Sequence, residues 1–208
     1  MGASAVIRLQ LKTMRVAQAN NNTGIDLIVE TPTEDDLGEF YLATKKQGMI
    51  ALYYHEGTPT LSQFVAWNTR DQDVCFGYYI VKHGSPARHL VGMAFVHSVA
   101  TLEGGKVKRV ELGLCFIRRR ALVDVREHVT PEVMRELAEL NLDWAFQQFG
   151  ATVLFSHTPV KNKASLTLQC GVGFERKGDI PGFTVWGGEP CDSALLILTA
   201  DRWENFKE

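Results

Sequence analysis

The residues of this chain most able to do chemistry are six histidines, four cysteines and a dense run of arginines. A metal site needs ligands at short characteristic spacings. His55, His83, His89, His97, His128 and His157 show none, either among themselves or with Cys75, Cys115, Cys170 and Cys191. No metal is therefore expected. The chain also carries no G-x-S-x-G elbow, no H-E-x-x-H pair, no Walker loop and no G-x-G-x-x-G opening a helix after a strand, so hydrolase, metalloprotease and nucleotide-cradling readings lack support. What remains is proton transfer and anion binding. His157 closes a strand-like run, and imidazole is the side chain whose chemistry suits a base near neutral pH; His97, on an earlier strand, is a second candidate. Either is as readily a structural histidine. Arg118, Arg119, Arg120, Arg126 and His128 crowd one connection, where they can offer side-chain charge to phosphate or simply form a solvated basic loop. Phe183 and Trp186 stand in the glycine-rich segment Ile180 to Pro190, placed to line a substrate pocket or to pack as a lid.

Several elements must position these residues. Ile25 to Val29 alternates apolar and polar as a strand does, and Thr33-Glu34-Asp35-Asp36 then caps a helix through about Lys46. A short helix is expected from Thr60 to Asn68, with Leu61, Phe64, Val65 and Trp67 on it. Three strand-like runs follow with no helix between them: Val74 to Val81, Leu90 to Val99 and Val107 to Ile117. The turn-rich stretches His83-Gly84-Ser85-Pro86 and Glu103-Gly104-Gly105 separate them into an antiparallel meander. Thr130-Pro131-Glu132 supplies an N-cap, a first-turn proline and a first-turn acid, and Val133, Leu137, Leu140 and Trp144 repeat at helical spacing up to Gly150. Ala151 to Ser156 reads as a buried strand, Asn162 to Cys170 as a short helix, Phe174 to Lys177 as the start of a strand and Ala194 to Thr199 as the last one. The polar tract Asn20-Asn21-Asn22-Thr23-Gly24 separates an N-terminal extension, residues 1–23, from a domain spanning 24–208. The class is α+β.

One stretch is more specific than the order of elements. Asn162-Lys163-Ala164-Ser165-Leu166-Thr167-Leu168-Gln169-Cys170-Gly171-Val172-Gly173-Phe174 has an Asn, a small residue three on, a Leu six on and Gly-Phe from the eleventh. This pattern resembles the GNAT (N-acetyltransferase) superfamily. Leu142-Asp143-Trp144-Ala145 through Phe149-Gly150-Ala151 is similar to the end of that superfamily's cofactor helix and the start of its next strand. The resemblance covers roughly residues 25 to 200. It implies a mixed, mostly antiparallel central sheet with helices on both faces, and acetyl-CoA-dependent transfer to an amine by direct attack. Acetyl-CoA would be the cosubstrate, with no metal. By the same resemblance, backbone groups of Leu114, Cys115, Phe116 and Ile117 would hold the pantetheine arm, and Asn162, Ser165 and Leu168 would border it; Arg126, of the basic connection, is the side chain that could meet its phosphates in place of backbone, or simply belong to a solvated loop. Each residue type has a geometric task there: the small residue permits close approach and the Gly turns the chain into the next strand. Glu111 stands where many members carry a carboxylate base; by alternation it points opposite to Val110, Leu112, Leu114 and Phe116, and Gly113 beside it allows a bulge or splay. Its alternative is an ordinary solvent-facing strand residue. Glu111 and His157 are the catalytic candidates, and Phe183 and Trp186 border the acceptor pocket.

Two positions depart from the superfamily's pattern. Its pyrophosphate loop runs Arg or Gln, two residues, Gly, one residue, then Gly or Ala, with bare amides at a helix N-terminus. Here Val129, Glu132 and Met134 occupy the corresponding places, and Pro131 removes a donor. Where many members place a Tyr as proton donor, this chain has Gln169, which cannot act as a general acid. The alternative to an acetyltransferase is thus a GNAT-like fold kept as a binding or structural module.

Composition sets the remaining bounds. Of 208 residues, 45% are hydrophobic and 22% charged, with a formal net charge of −2, which fits one globular domain and leaves no electrostatic footprint for nucleic acid or an anionic membrane. The longest apolar run, around Ala194 to Leu198, falls far short of the roughly 18 residues of a membrane span. Widely spaced cysteines suit a reducing, cytoplasmic setting. The first residues hold no apolar stretch of leader length, and Val6 stands where a myristoylation motif wants Ser or Thr. The expected partner is a small-molecule or peptide amine, and a homodimer is compatible with this reading.

Overall fold

The structure, a computed structural model, describes residues 15–20, 24–46, 48, 58–69, 74–101 and 108–207. Eight strands form one sheet: β1 (Arg15–Asn20), β2 (Ile25–Glu30), β3 (Val74–Lys82), β4 (Arg88–Thr101), β5 (Lys108–Phe116), β6 (Val153–Pro159), β7 (Glu175–Trp186) and β8 (Glu189–Thr199). Their spatial order is β1-β2-β3-β4-β5-β6-β8-β7. Only β5 and β6 are parallel; every other neighbouring pair is antiparallel. Among the described residues the helices are α1 (Glu34–Lys46), α2 (Leu61–Asn68), α3 (Pro131–Phe149), α4 (Lys163–Gly171) and α5 (Ala200–Lys207).

Alternation along the strands gives the sheet two apolar faces, and helices cover both. On β3, Phe76, Tyr78 and Ile80 join Val110 and Leu112 of β5 under Val133, Leu137, Leu142 and Ala145 of α3, Leu166 of α4 and Trp203 of α5. On the opposite face, Cys75, Tyr79, Cys115 and Ile117 pack beneath Leu37, Phe40 and Tyr41 of α1 and Phe64 of α2. The helix ends are set locally. Thr60 and Gln63 form a reciprocal capping box on α2. Thr130 caps α3, whose far end is stopped by Gly150 in the left-handed conformation that glycine adopts without a Cβ clash.

The parallel pair is where the sheet opens. β5 stays registered with β4 from Lys108 to Phe116, and β6 stays registered with β8 from Val153 to Pro159. Between β5 and β6, however, the register is Arg109↔Val153, Val110↔Leu154 and Glu111↔Phe155, and it stops there. Parallel strands cannot be closed by a hairpin turn; these two are joined through the α3 crossover, and each then follows its own antiparallel partner. Residues 112–116 and 156–159 consequently diverge into a fork.

The fold departs from the sequence reading in several details. Residues 15–20, assigned there to the extension, form the edge strand β1 in register with β2. The glycine-rich connection is a continuous β7–β8 hairpin that turns at Gly187-Gly188, because cross-strand pairing overrides weak local propensity. Beyond the last strand of the sequence reading the chain forms the helix α5; Trp203, 1% exposed, holds it down by stacking on Phe146 and donating Nε1–H to Asp143 Oδ1 at 2.9 Å. The turn expected at Glu103-Gly104-Gly105 and residues 1–14 lie outside the described residues.

One glycine guards the fork. A Cβ on Gly92 of β4 would lie 2.8 Å from the Cys115 carbonyl oxygen and 2.8 Å from the Phe116 ring. Backbone cannot yield as a flexible side chain does, so Gly92→Ala is expected to destabilise the chain by about 1–3 kcal/mol. Urea unfolding monitored by circular dichroism reads this directly; an unchanged midpoint would mean that β5 shifts away from β4 without penalty.

Candidate active site

Glu111 is the last β5 residue paired with β6, and His157 lies two residues beyond its partner Phe155. Two residues along a strand restore the same face, so both side chains project on the side of the sheet that carries α1 and α2. There His157 Nδ1 meets Glu111 Oε1 at 3.2 Å, with the side chains 21% and 28% exposed. Phe155 meets the imidazole edge-on at 5.7 Å between centroids, and Phe183 of β7 leans over it at 4.7 Å. Three candidates separated by 46 and 26 positions thus converge at the apex of the fork, where the β5–β6 pairing ends. Trp186 stands farther along, paired with Glu189 beside the hairpin turn.

A bulge sits next to Glu111, though on β4 rather than at Gly113. Val96 is registered with Leu112 and Ser98 with Glu111, leaving His97 as the extra residue. Such bulges bend a strand and re-aim its neighbours.

The far wall of the fork belongs to α4. Asn162 caps this helix, its Oδ1 accepting from the Ser165 amide at 3.3 Å. Gln169, 2% exposed, donates Nε2–H to Thr158 Oγ1 at 2.7 Å and to Ser165 Oγ at 2.9 Å. Its amide therefore ties α4 to β6, and no acid stands at that place. Leu168 is half-buried. On the β5 side, Cys115 is buried toward α1, while Leu114 and Phe116 pack toward α3. The Ile117 amide donates to the Val91 carbonyl at 2.9 Å, so it is already engaged with β4.

The N-terminus of α3 can be accounted for completely. A helix start leaves four main-chain N–H groups without helical partners. Here the Thr130 amide donates to His128 O at 3.0 Å, Pro131 has no hydrogen to give, and the Val133 amide donates to Thr130 Oγ1 at 3.3 Å. The remaining amide belongs to Glu132, and this amide first, then the Thr130 hydroxyl, holds the Glu132 carboxyl below the usual carboxylate range, so a side-chain negative charge faces this helix end. Val129 and Val133 are buried beneath, and Met134 packs against the same core. Two short turns, Arg119–Ala121 and Val123–Val125, bring the arginines beside it. Arg119 Nε donates to Arg126 O at 2.8 Å and Arg126 Nη2 to Arg120 O at 3.0 Å, while the remaining guanidinium edges face solvent on exposed residues.

With this geometry in place, the chain aligns with solved structures of spermidine N-acetyltransferases from Vibrio cholerae. The one in complex with CoA and spermine gives a TM-score of 0.67 at 14% identity, over 86% of this chain and 98% of its own. A mutant form of the spermidine/spermine N-acetyltransferase SpeG gives 0.64 at 14% identity, over 88% and 99%. A chimera of that enzyme with hSSAT gives 0.64 at 15% identity, over 86% and 98%. The chain therefore has the GNAT superfamily fold. No protein-family model matches it, and no curated protein matches its sequence. Among the described residues no helix is long and apolar enough to cross a membrane, and no group of three His, Cys, Asp or Glu side chains is placed to hold a metal ion.

The closed helix end has a measurable consequence. Thr130→Ala removes the only side-chain acceptor for the Val133 amide, and loss of such a cap is expected to lower stability by about 1 kcal/mol, whereas Thr130→Ser should be nearly neutral. Chemical denaturation of the two variants distinguishes them; equal losses would show that the hydroxyl is not the cap.

Proposed function

We propose that the chain is an acetyl-CoA-dependent N-acetyltransferase acting on a small amine, with residues 24–208 as the catalytic domain and β1 added to its sheet from upstream. The observation that carries this reading is the coincidence of the fork with the Glu111–His157 contact at its apex. A thioester arm laid in the fork would find alternate peptide groups of β5 and β6 unmatched by each other, and its acyl carbon would come to rest near the imidazole. The neighbours that bind spermine and CoA support a polyamine-like acceptor as the first to test.

In this reading His157 carries its hydrogen on Nδ1 and gives it to Glu111, which leaves Nε2 as the proton acceptor; the carboxylate then stabilises the imidazolium that forms. The amine nitrogen bonds to the thioester carbon and the carbon–sulfur bond breaks. The proton passes from nitrogen to Nε2 and on to the departing thiolate, a role Gln169 cannot fill. The donor's phosphates would be met by Arg126 and its neighbours, since the α3 amides are occupied. The four free thiols suit a reducing cytoplasm.

A second reading, a GNAT fold retained for binding alone, is favoured by two specific features: the self-capped α3 and the buried glutamine at 169. Thermal unfolding separates the two. Acetyl-CoA at about 100 times its dissociation constant should add about 2.7 kcal/mol, a rise of about 5–10 °C for a domain this size, and no rise at millimolar acetyl-CoA favours the second reading. Given binding, Glu111→Gln and His157→Ala should each lower kcat with acetyl-CoA and spermidine by about 100-fold or more. Because the two act as a unit, the double variant should fall little further, whereas multiplied losses would separate their roles.

A further inference from the structure

The hairpin that carries Phe183 has one irregularity. Ile180 is registered with Ser193 and Thr184 with Cys191, so Pro181, Gly182 and Phe183 stand against the single residue Asp192. Proline offers no hydrogen to the ladder, and Gly182 takes a φ of +61°, the left-handed region that favours glycine. A three-against-one bulge on an exposed hairpin would ordinarily be loose. This one is pinned, because the Gly182 amide donates to Asp192 Oδ1 at 2.9 Å. The main-chain carbonyl of Asp192 also accepts from the Val160 amide at 2.9 Å, at the exit of β6 immediately beyond the fork. Asp192 thus joins the bulge to the strand that bears His157.

The product of the bulge is a phenylalanine that is 51% exposed and yet in ring contact with His157, at 4.7 Å and 35°. An apolar ring turned outward from its own hairpin contributes little to the core; its contact on the imidazole restricts how that ring can turn. From β5, Glu111 constrains the same ring at Nδ1.

We propose that Asp192 is a positioning residue of the candidate active site: its carboxylate fixes the Pro181-Gly182-Phe183 bulge, and the bulge seats Phe183 on His157 so that the imidazole stays turned toward Glu111. This rests on the reading of Glu111 and His157 as the acid–base pair, but the seating itself can be read without turnover.

The test uses the full chain with 13C-labelled histidine rings, the His157 signals being assigned by their loss in His157→Ala. Phe183, tilted over the imidazole, adds a ring-current shift to these protons beyond that of Phe155, and Phe183→Leu should remove the Phe183 contribution. Asp192→Ala should abolish it to the same extent, and Asp192→Asn, which keeps an Oδ1 acceptor, should retain it. Unmoved His157 signals in Asp192→Ala, or equal loss in the asparagine variant, would overturn the assignment. Should Asp192→Ala fail to fold, the wild-type Gly182 amide decides: it is expected to be protected from hydrogen exchange although its residue is exposed, and exchange at the rate of a free loop amide would overturn the proposal. With acetyl-CoA and spermidine, Asp192→Ala should lower kcat/KM for the amine by up to about 100-fold while leaving the KM for acetyl-CoA unchanged. A loss confined to acetyl-CoA would also overturn it. If the wild-type chain shows no turnover at all, the acetyltransferase reading fails while the histidine spectrum still decides the role of Asp192.

Discussion

Three register pairs hold β5 to β6, and their end at Glu111 and Phe155 is the constraint on which the site depends. Had the parallel pairing run the length of β6, the peptide edges of residues 112–116 and 156–159 would satisfy one another and the sheet would be closed. Instead each strand is held along its whole length on one side only, β5 by β4 and β6 by β8. Two well-anchored half-sheets therefore meet at a short seam. α3 covers one face above Val110 and Leu112, and the Gln169 bond to Thr158 ties α4 to the β6 side of the opening.

Polar side chains concentrate at that seam. Glu111 and His157 are half-buried on the face away from α3 and α4, between the Phe155 and Phe183 rings. Partial burial lowers the local dielectric and strengthens a hydrogen-bonded pair relative to one in water. The aromatic walls supply shape without competing hydrogen bonds. The arrangement places one carboxylate and one imidazole in contact, with the imidazole flanked by two aromatic rings.

The opposite end of the fork follows a different logic. Where a helix N-terminus would offer amides to an anion, α3 closes on itself through Thr130 and Glu132, with Val129 and Val133 buried below. Positive charge is present beside it, but on side chains: Arg119 and Arg126 brace the connecting turns through main-chain carbonyls while their outer edges face solvent. Anion contact at this end would therefore depend on guanidinium side chains rather than on helix-terminal backbone amides.

Local rules were enough for much of this. The Thr130-Pro131 start and Gly150 stop of α3, the Asn162 cap of α4 and the meander of β3 to β5 lie in residue types whose backbone preferences and periodicity act over a few positions. The spacing from Asn162 to Phe174 likewise marked the short helix and the fold it belongs to. The edge strand β1, the continuity of the last hairpin and α5 were not legible, because each exists through pairing or burial against distant segments: β2 for the first, β8 for the second, and Phe146 with Asp143 for Trp203. The site divides the same way. The sequence by itself determined which groups could move a proton and on which strand face Glu111 had to lie, since alternation is a property of the chain alone. Only the tertiary structure decided that Glu111 meets His157, that Phe183 leans on that histidine, and that the α3 amides are occupied. Those contacts depend on where strand pairing stops and where a bulge inserts, and both are settled by interactions between segments tens of residues apart.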